Sequence, residues 1–188
     1  MTFRIEIDLE DADLERFRAM FEQAGRVAEA MPRDEILSAT RDLVERAKGV
    51  NPAGFIRDRI DGLGKLVTMV DDPDWQLDEE DCARVIRALA YFVNPNDLIP
   101  DQTPGLGFLD DAIAAELVLR SLGHELEAYS DFCAYRSAEL VRRQNRGQPT
   151  DISKEDWLKD RRLALQSRMR QLRAAGPEPG WTLRGIGI

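Results

Sequence analysis

The stretch YFVNPNDLIPDQTPGLGFLDD, Tyr91–Asp111, decides the fold, because it sets four aspartates and three prolines between two of the most apolar segments of an acidic chain. Pro95, Pro100 and Pro104 remove backbone donors and fix φ, so no helix runs through them. Yet Leu98, Ile99, Leu106, Phe108 and Leu109 call for burial. A connector that folds back into a bundle must find partners for its backbone. Aspartates supply them. Asp97 and Asp101 suit Asx-type turns. Asp110 and Asp111 fall in the first turn of the next helix, where carboxylates meet open amides and the positive end of the dipole, each contact contributing about 1 kcal/mol.

The same residues admit a second reading. If Asp97, Asp101 and Asp111 converge, with Asp110 beside them, they form an all-oxygen site suited to Mg²⁺, Mn²⁺ or Ca²⁺ rather than zinc. Their spacing is not that of a calcium-binding EF loop, and no phosphate-binding loop, nucleophile elbow or His-rich motif accompanies them. A metal-dependent phosphoester hydrolase would need a base and a cleft besides, and the sequence singles out no catalytic residue.

Outward from the connector, periodicity predicts helices on both sides. Cys82, Val85, Ile86, Leu89, Phe92 and Val93 share the inner face of the preceding helix, and Asp78 with Asp81 resembles a capping box at its start. The following helix is expected to be long, from about Phe108 to about Asn145, with Ala112, Ala115, Leu119, Leu122, Leu126, Tyr129 and Cys133 as its seam. Earlier, Leu14, Phe17, Phe21 and Val27 mark a helix that Met31-Pro32 closes, and Ile36, Leu37, Leu43, Val44 and Ala47 mark a second that Gly49 ends. Asn51-Pro52 then opens a third, with Ile56, Ile60, Leu63, Val67 and Val70 inward and Gly62 and Gly64 hinting at close packing. A last helix is expected from about Ser153 to Ala175. The ends are β-prone: Phe3, Ile5, Ile7 and Leu9 alternate with polar residues, and Trp181–Ile188 is similar.

An apolar helix ending at Tyr91, then Pro95-x-Asp97-Leu98-Ile99-Pro100-Asp101, then Gly107 and Asp110-Asp111 opening an aliphatic helix, resembles the bacterial YkvA-like family of unknown function. The resemblance covers residues 65–122. It implies a helical hairpin with an Asp-containing connection, and no established activity or cofactor.

Bulk properties narrow the classes. The chain has 188 residues, 43% of them hydrophobic, which is enough for one core. No apolar run reaches the roughly 20 residues of a spanning helix, and the first residues are acidic rather than those of a secretory or transit signal. The cytoplasm is the expected compartment. Cys82 and Cys133 are expected to be reduced core residues. Residues 1–135 hold 14 basic and 29 acidic side chains, net −15; residues 136–188 hold 12 and 6, net +6. An acidic body argues against nucleic acid as a partner. The basic segment, with Arg142, Arg143, Arg146, Lys154, Lys159, Arg161, Arg162, Arg168, Arg170 and Arg173, is expected to dock within the protein or onto a sister subunit, peripheral contact with anionic lipid being the alternative. On the long helix, Glu116, Arg120, His124, Glu127 and Asp131 form a stripe of ion pairs, with Glu116 a candidate partner for Arg84 or Arg87. His124, about 20 Å along the helix from Asp111, is too distant to share its site.

These readings combine into an all-α, single-domain bundle of about six helices with a buried Asp-rich helix-loop-helix and short β-like termini. Its divisions are a β-prone arm (1–10), a helical domain (11–147), a basic helix (148–175) and a tail (176–188). The expected function is a noncatalytic protein-interaction or adaptor module acting as a homo-oligomer; the alternative is a divalent-metal protein using Asp97, Asp101, Asp110 and Asp111.

Overall fold

The computed structural model describes residues 10–93, 103, 107–151 and 156–176, with the backbone alone at 11, 13, 14, 17, 18, 27 and 28. The β-prone arm, the tail, Asp97, Asp101, Lys154 and the expected start of the last helix lie outside them. Within them the chain is an all-α bundle of seven helices: α1 (Asp11–Ala30), α2 (Arg33–Val50), α3 (Gly54–Asp71), α4 (Glu79–Leu89) extended by a 3-10 turn (Ala90–Val93), α5 (Leu109–Ser121), α6 (Gly123–Asn145) and α7 (Lys159–Ala175).

The central helix is α3, which packs against α2, α4, α5 and α6. Its period places Ile56, Ile60, Leu63, Leu66, Val67 and Val70 in the core, each aliphatic side chain worth about 1.5–3 kcal/mol when fully buried. Gly62 lets α5 come close: a Cβ there would meet Leu119 Cδ1 at 2.5 Å, whereas one on Gly64 would meet nothing nearer than Val44 Cγ1 at 3.7 Å. Of these two glycines, Gly62 is the one that marks close packing. Ala112, Ala114, Ala115, Leu117 and Val118 of α5 are all buried, so that helix is wrapped on most sides.

Several boundaries differ from expectation. Helix α2 runs through Gly49, and Asn51 closes it in the left-handed region at φ 47°; asparagine tolerates that conformation through its short polar side chain. Asn51 thus ends α2 and does not cap α3, which starts at Gly54 after Ala53. The long helix expected over Phe108–Asn145 bends at Leu122 and divides into α5 and α6. Leu122 still donates to the Val118 carbonyl at 3.0 Å, and Leu126 to that of Leu122. The bend has two causes. Ser121 Oγ donates back to the Val118 carbonyl, at 2.8 Å, a contact that loosens helices. Next to it, Gly123 has low helix propensity and no side chain to resist bending.

Candidate functional site

The sequence motif begins where α4 tightens into its 3-10 turn and delivers Tyr91. Its ring lies 4.8 Å from that of Phe21 and 5.1 Å from that of Phe92. Burial first, then the negative charges of Asp111 and Asp110, push the Tyr91 phenol up to about 12. At neutral pH it is a protonated donor beside an acidic pair. On the far side of the connector, the Gly107 amide donates to the Thr103 carbonyl at 2.8 Å. Phe108 then enters the left-handed region at φ 64° while its side chain is 1% exposed. That backbone costs a non-glycine residue about 1–2 kcal/mol, which burial of the ring offsets.

Asp110 and Asp111 stand as expected in the first turn of α5 and are half-buried. They are the two proposed metal ligands among the described residues; Asp97 and Asp101 are not. Within the described residues no group of three or more His, Cys, Asp or Glu is placed to hold a metal ion.

The stripe from Glu116 to Asp131, now divided between α5 and α6, resolves differently from its sequence reading. Glu116 pairs with Arg59 of α3, Nε to Oε2 2.8 Å, and with Arg120. Its partner is thus neither Arg84 nor Arg87. Burial raises its carboxyl, but the bonds from Arg120 and Arg59 reverse that and hold it below the usual range. His124, Glu127 and Asp131 line a shallow cleft between α6 and α7, with Leu165 and Met169 on its other side. Cys82 and Cys133 are free and half-buried.

The strongest polar constellation was not anticipated as such. Asp78 does accept from the Asp81 amide at 2.8 Å, which is half of the expected box. The Asp81 carboxylate, 1% exposed, turns inward instead. It receives Arg170 Nε at 2.9 Å and Arg173 Nη1 at 2.7 Å. Glu125, also 1% exposed, receives Arg84 Nε and Arg173 Nη1, each at 3.1 Å. Beside it, the turn after α3 is held from two helices. Asp72 accepts from Tyr129 Oη at 2.8 Å and from Arg136 Nη1 at 2.9 Å; Arg162 Nη1 reaches the Asp74 carbonyl at 2.9 Å and Gln166 Nε2 the Trp75 carbonyl at 2.7 Å. Burial would raise the Asp72 carboxyl, yet Arg136 and Tyr129 hold it low. The basic helix α7 is thus docked by Arg162 and Gln166 onto main-chain carbonyls of the turn after α3, and by Arg170 and Arg173 onto the carboxylates of Asp78, Asp81 and Glu125.

Residues 83–117 match the family model described as "Protein of unknown function (DUF1232)". The match spans most of α4, the 3-10 turn, the connector and most of α5, and covers under a fifth of the chain. No curated protein and no solved structure matches the chain significantly.

Proposed function

We propose that this chain is a noncatalytic interaction module that acts as a homodimer, presenting the outer half of α6 as its contact surface. The observation that carries this reading is the burial pattern of α6. Its buried residues are Glu125, Ala128, Tyr129 and Phe132, and none from Cys133 to Asn145 is buried. The helix therefore continues about 20 Å beyond its last fully buried residue, one side still lying against Trp157 and Arg161 and the other open to solvent, with Val141 55% exposed. Arg142 and Arg146 lie exposed at this end, and the acidic body of a second copy is the complementary surface. The Pro-x-Asp-Leu-Ile-Pro-Asp order of residues 95–101 supports grouping the chain with YkvA-like bacterial proteins, and a cytoplasmic setting agrees with its two free cysteines. The inward-facing arginines of α7 speak against that helix serving lipid or nucleic acid. Light scattering at micromolar concentration is expected to give a dimer, and Val141→Glu a monomer at unchanged helicity. A wild-type monomer throughout that range overturns the reading.

A second reading, a Mg²⁺, Mn²⁺ or Ca²⁺ site on the connector serving as a metal centre or a phosphoester hydrolase, is supported by one observation: Asp110 and Asp111 stand side by side, half-buried, in the first turn of α5. An ion bound only by the folded form raises its melting temperature. A melting scan unchanged by these ions relative to EDTA removes this reading.

A further inference from the structure

The corner between α2 and α3 holds a pocket of about 160 Å³. Its floor is apolar: Ala47 and Ile60 are 2% and 1% exposed, and Pro52 is buried. Its other walls carry charge of both signs, Lys48 and Arg57 together with Asp61, and the amide of Asn51. A hollow of this size admits a benzene-sized group. Apolar surface with a few placed polar groups is the ordinary makeup of a small-ligand site.

The charged walls are positioned without neutralising one another. Arg57 Nη2 donates to Asn51 Oδ1 at 2.8 Å and to the Pro52 carbonyl at 3.0 Å. Both acceptors are neutral, so the guanidinium is fixed in place with its charge uncompensated. Asp61, half-buried, lies one helical turn along α3 from Arg57, a spacing at which such groups commonly pair. Yet neither Arg57 nor Asp61 joins a salt bridge among the described residues. Lys48 pairs with Glu45 at 2.8 Å, and Glu45 first, then Asp61, hold its ammonium above its ordinary range. The start of α3, where Ala53 offers no side-chain cap, adds the positive end of a helix dipole near Arg57.

Each wall specifies one part of a ligand. The unpaired guanidinium calls for a carboxylate, the unpaired carboxylate for an ammonium, and the floor for a short aliphatic chain. Phosphate is a poor match, because Asp61 and Glu45 place two negative charges beside a dianion. We propose that this pocket binds a small aliphatic α-amino acid, its carboxylate on Arg57, its ammonium on Asp61 and its side chain on Ala47, Pro52 and Ile60. The site is separate from the contact surface on α6 and does not depend on the chain being dimeric.

Heteronuclear NMR of the full chain tests this with three probes: leucine, isocaproate, which is leucine without its ammonium, and inorganic phosphate. Leucine titrated through the millimolar range is expected to shift the amide resonances of Ala47, Asn51 and Ile60 saturably. Isocaproate is expected to bind several-fold more weakly and phosphate to leave these resonances in place. Loss of a charge-assisted contact in Arg57→Gln is expected to weaken leucine binding by about tenfold or more. Asp61→Asn is expected to bring leucine down to the level of isocaproate. Both variants are expected to keep wild-type helicity, since neither side chain is in the core. Resonances unmoved by leucine overturn the proposal. So do equal binding of leucine and isocaproate, tighter binding of phosphate, or undiminished leucine binding in Arg57→Gln.

Discussion

Asp81 is one side chain asked to serve two helices: its amide completes the cap of α4 while its carboxylate neutralises two arginines of α7. Burial separates it from Asp78, which also touches Arg170 but stays largely in solvent. Burial also sets the effect of mutation. Removing one member of a buried pair leaves the other uncompensated and costs about 3–5 kcal/mol, whereas losing an exposed cap costs about 1 kcal/mol. Asp81→Ala is therefore expected to lower the melting temperature several-fold more than Asp78→Ala, by about 6–20 °C against a few degrees, as read by circular dichroism. Equal shifts would mean that the α7 arginines contribute nothing through Asp81. The sequence exposes the i, i+3 spacing of these aspartates but not which of them is buried, because that depends on a helix about 90 residues away.

At the scale of elements, Gly62 and Gly64 have the same intrinsic helix cost and differ in what faces them. An alanine at 64 fits and is expected to stabilise by about 0.5–1 kcal/mol. At 62 its methyl collides with Leu119, and overpacking of about 1–3 kcal/mol outweighs that gain. Gly62→Ala is expected to destabilise, and Leu119→Ala in the same chain to recover part of the loss; urea midpoints of the three variants check this. Helix identity was legible in the residues, since apolar period, Met31-Pro32 and the prolines of the connector are local signals. Boundaries were less so. Gly49 carried the expected stop, yet Asn51 provides it, because left-handed geometry is open to both residue types. The division at Leu122 was hidden because Ala112–Cys133 keeps a continuous seam, while the bend arises from a serine back-bond and a glycine that the seam does not register.

For the whole molecule, the acidic excess is partly internal. Asp72 and Glu116 both titrate below their ordinary values when folded, burial being outweighed by bonds from Arg136 and Tyr129 in one case and Arg120 and Arg59 in the other. Carboxyls lowered on folding contribute stability above their unfolded pKa values, roughly 3.9 and 4.3, and lose it as pH falls through the folded values, because the unfolded chain then binds more protons. The urea midpoint is expected to decline below about pH 4.5, and Asp72→Asn to make that decline shallower. An unchanged slope would contradict the role assigned to Asp72. The all-α architecture and the place of Asp110 and Asp111 at the start of α5 were readable from the chain. The ionic docking of α7 was not, because its members are scattered from Asp78 to Arg173 and only folding assembles them.

The Arg84 guanidinium holds both Glu125 and the Ser121 carbonyl, at 3.1 Å and 3.4 Å, and so spans the junction of α5 and α6. In mechanical terms it is a brace across a hinge with a long lever. A 23-residue helix is about 35 Å long, so a rotation of about 10° at Leu122 would carry its far end about 6 Å. Because Ala128, Tyr129 and Phe132 anchor α6 in the core, this brace from α4, the helix in which the family match begins, serves to hold fixed the angle at which the outer half of α6 leaves it.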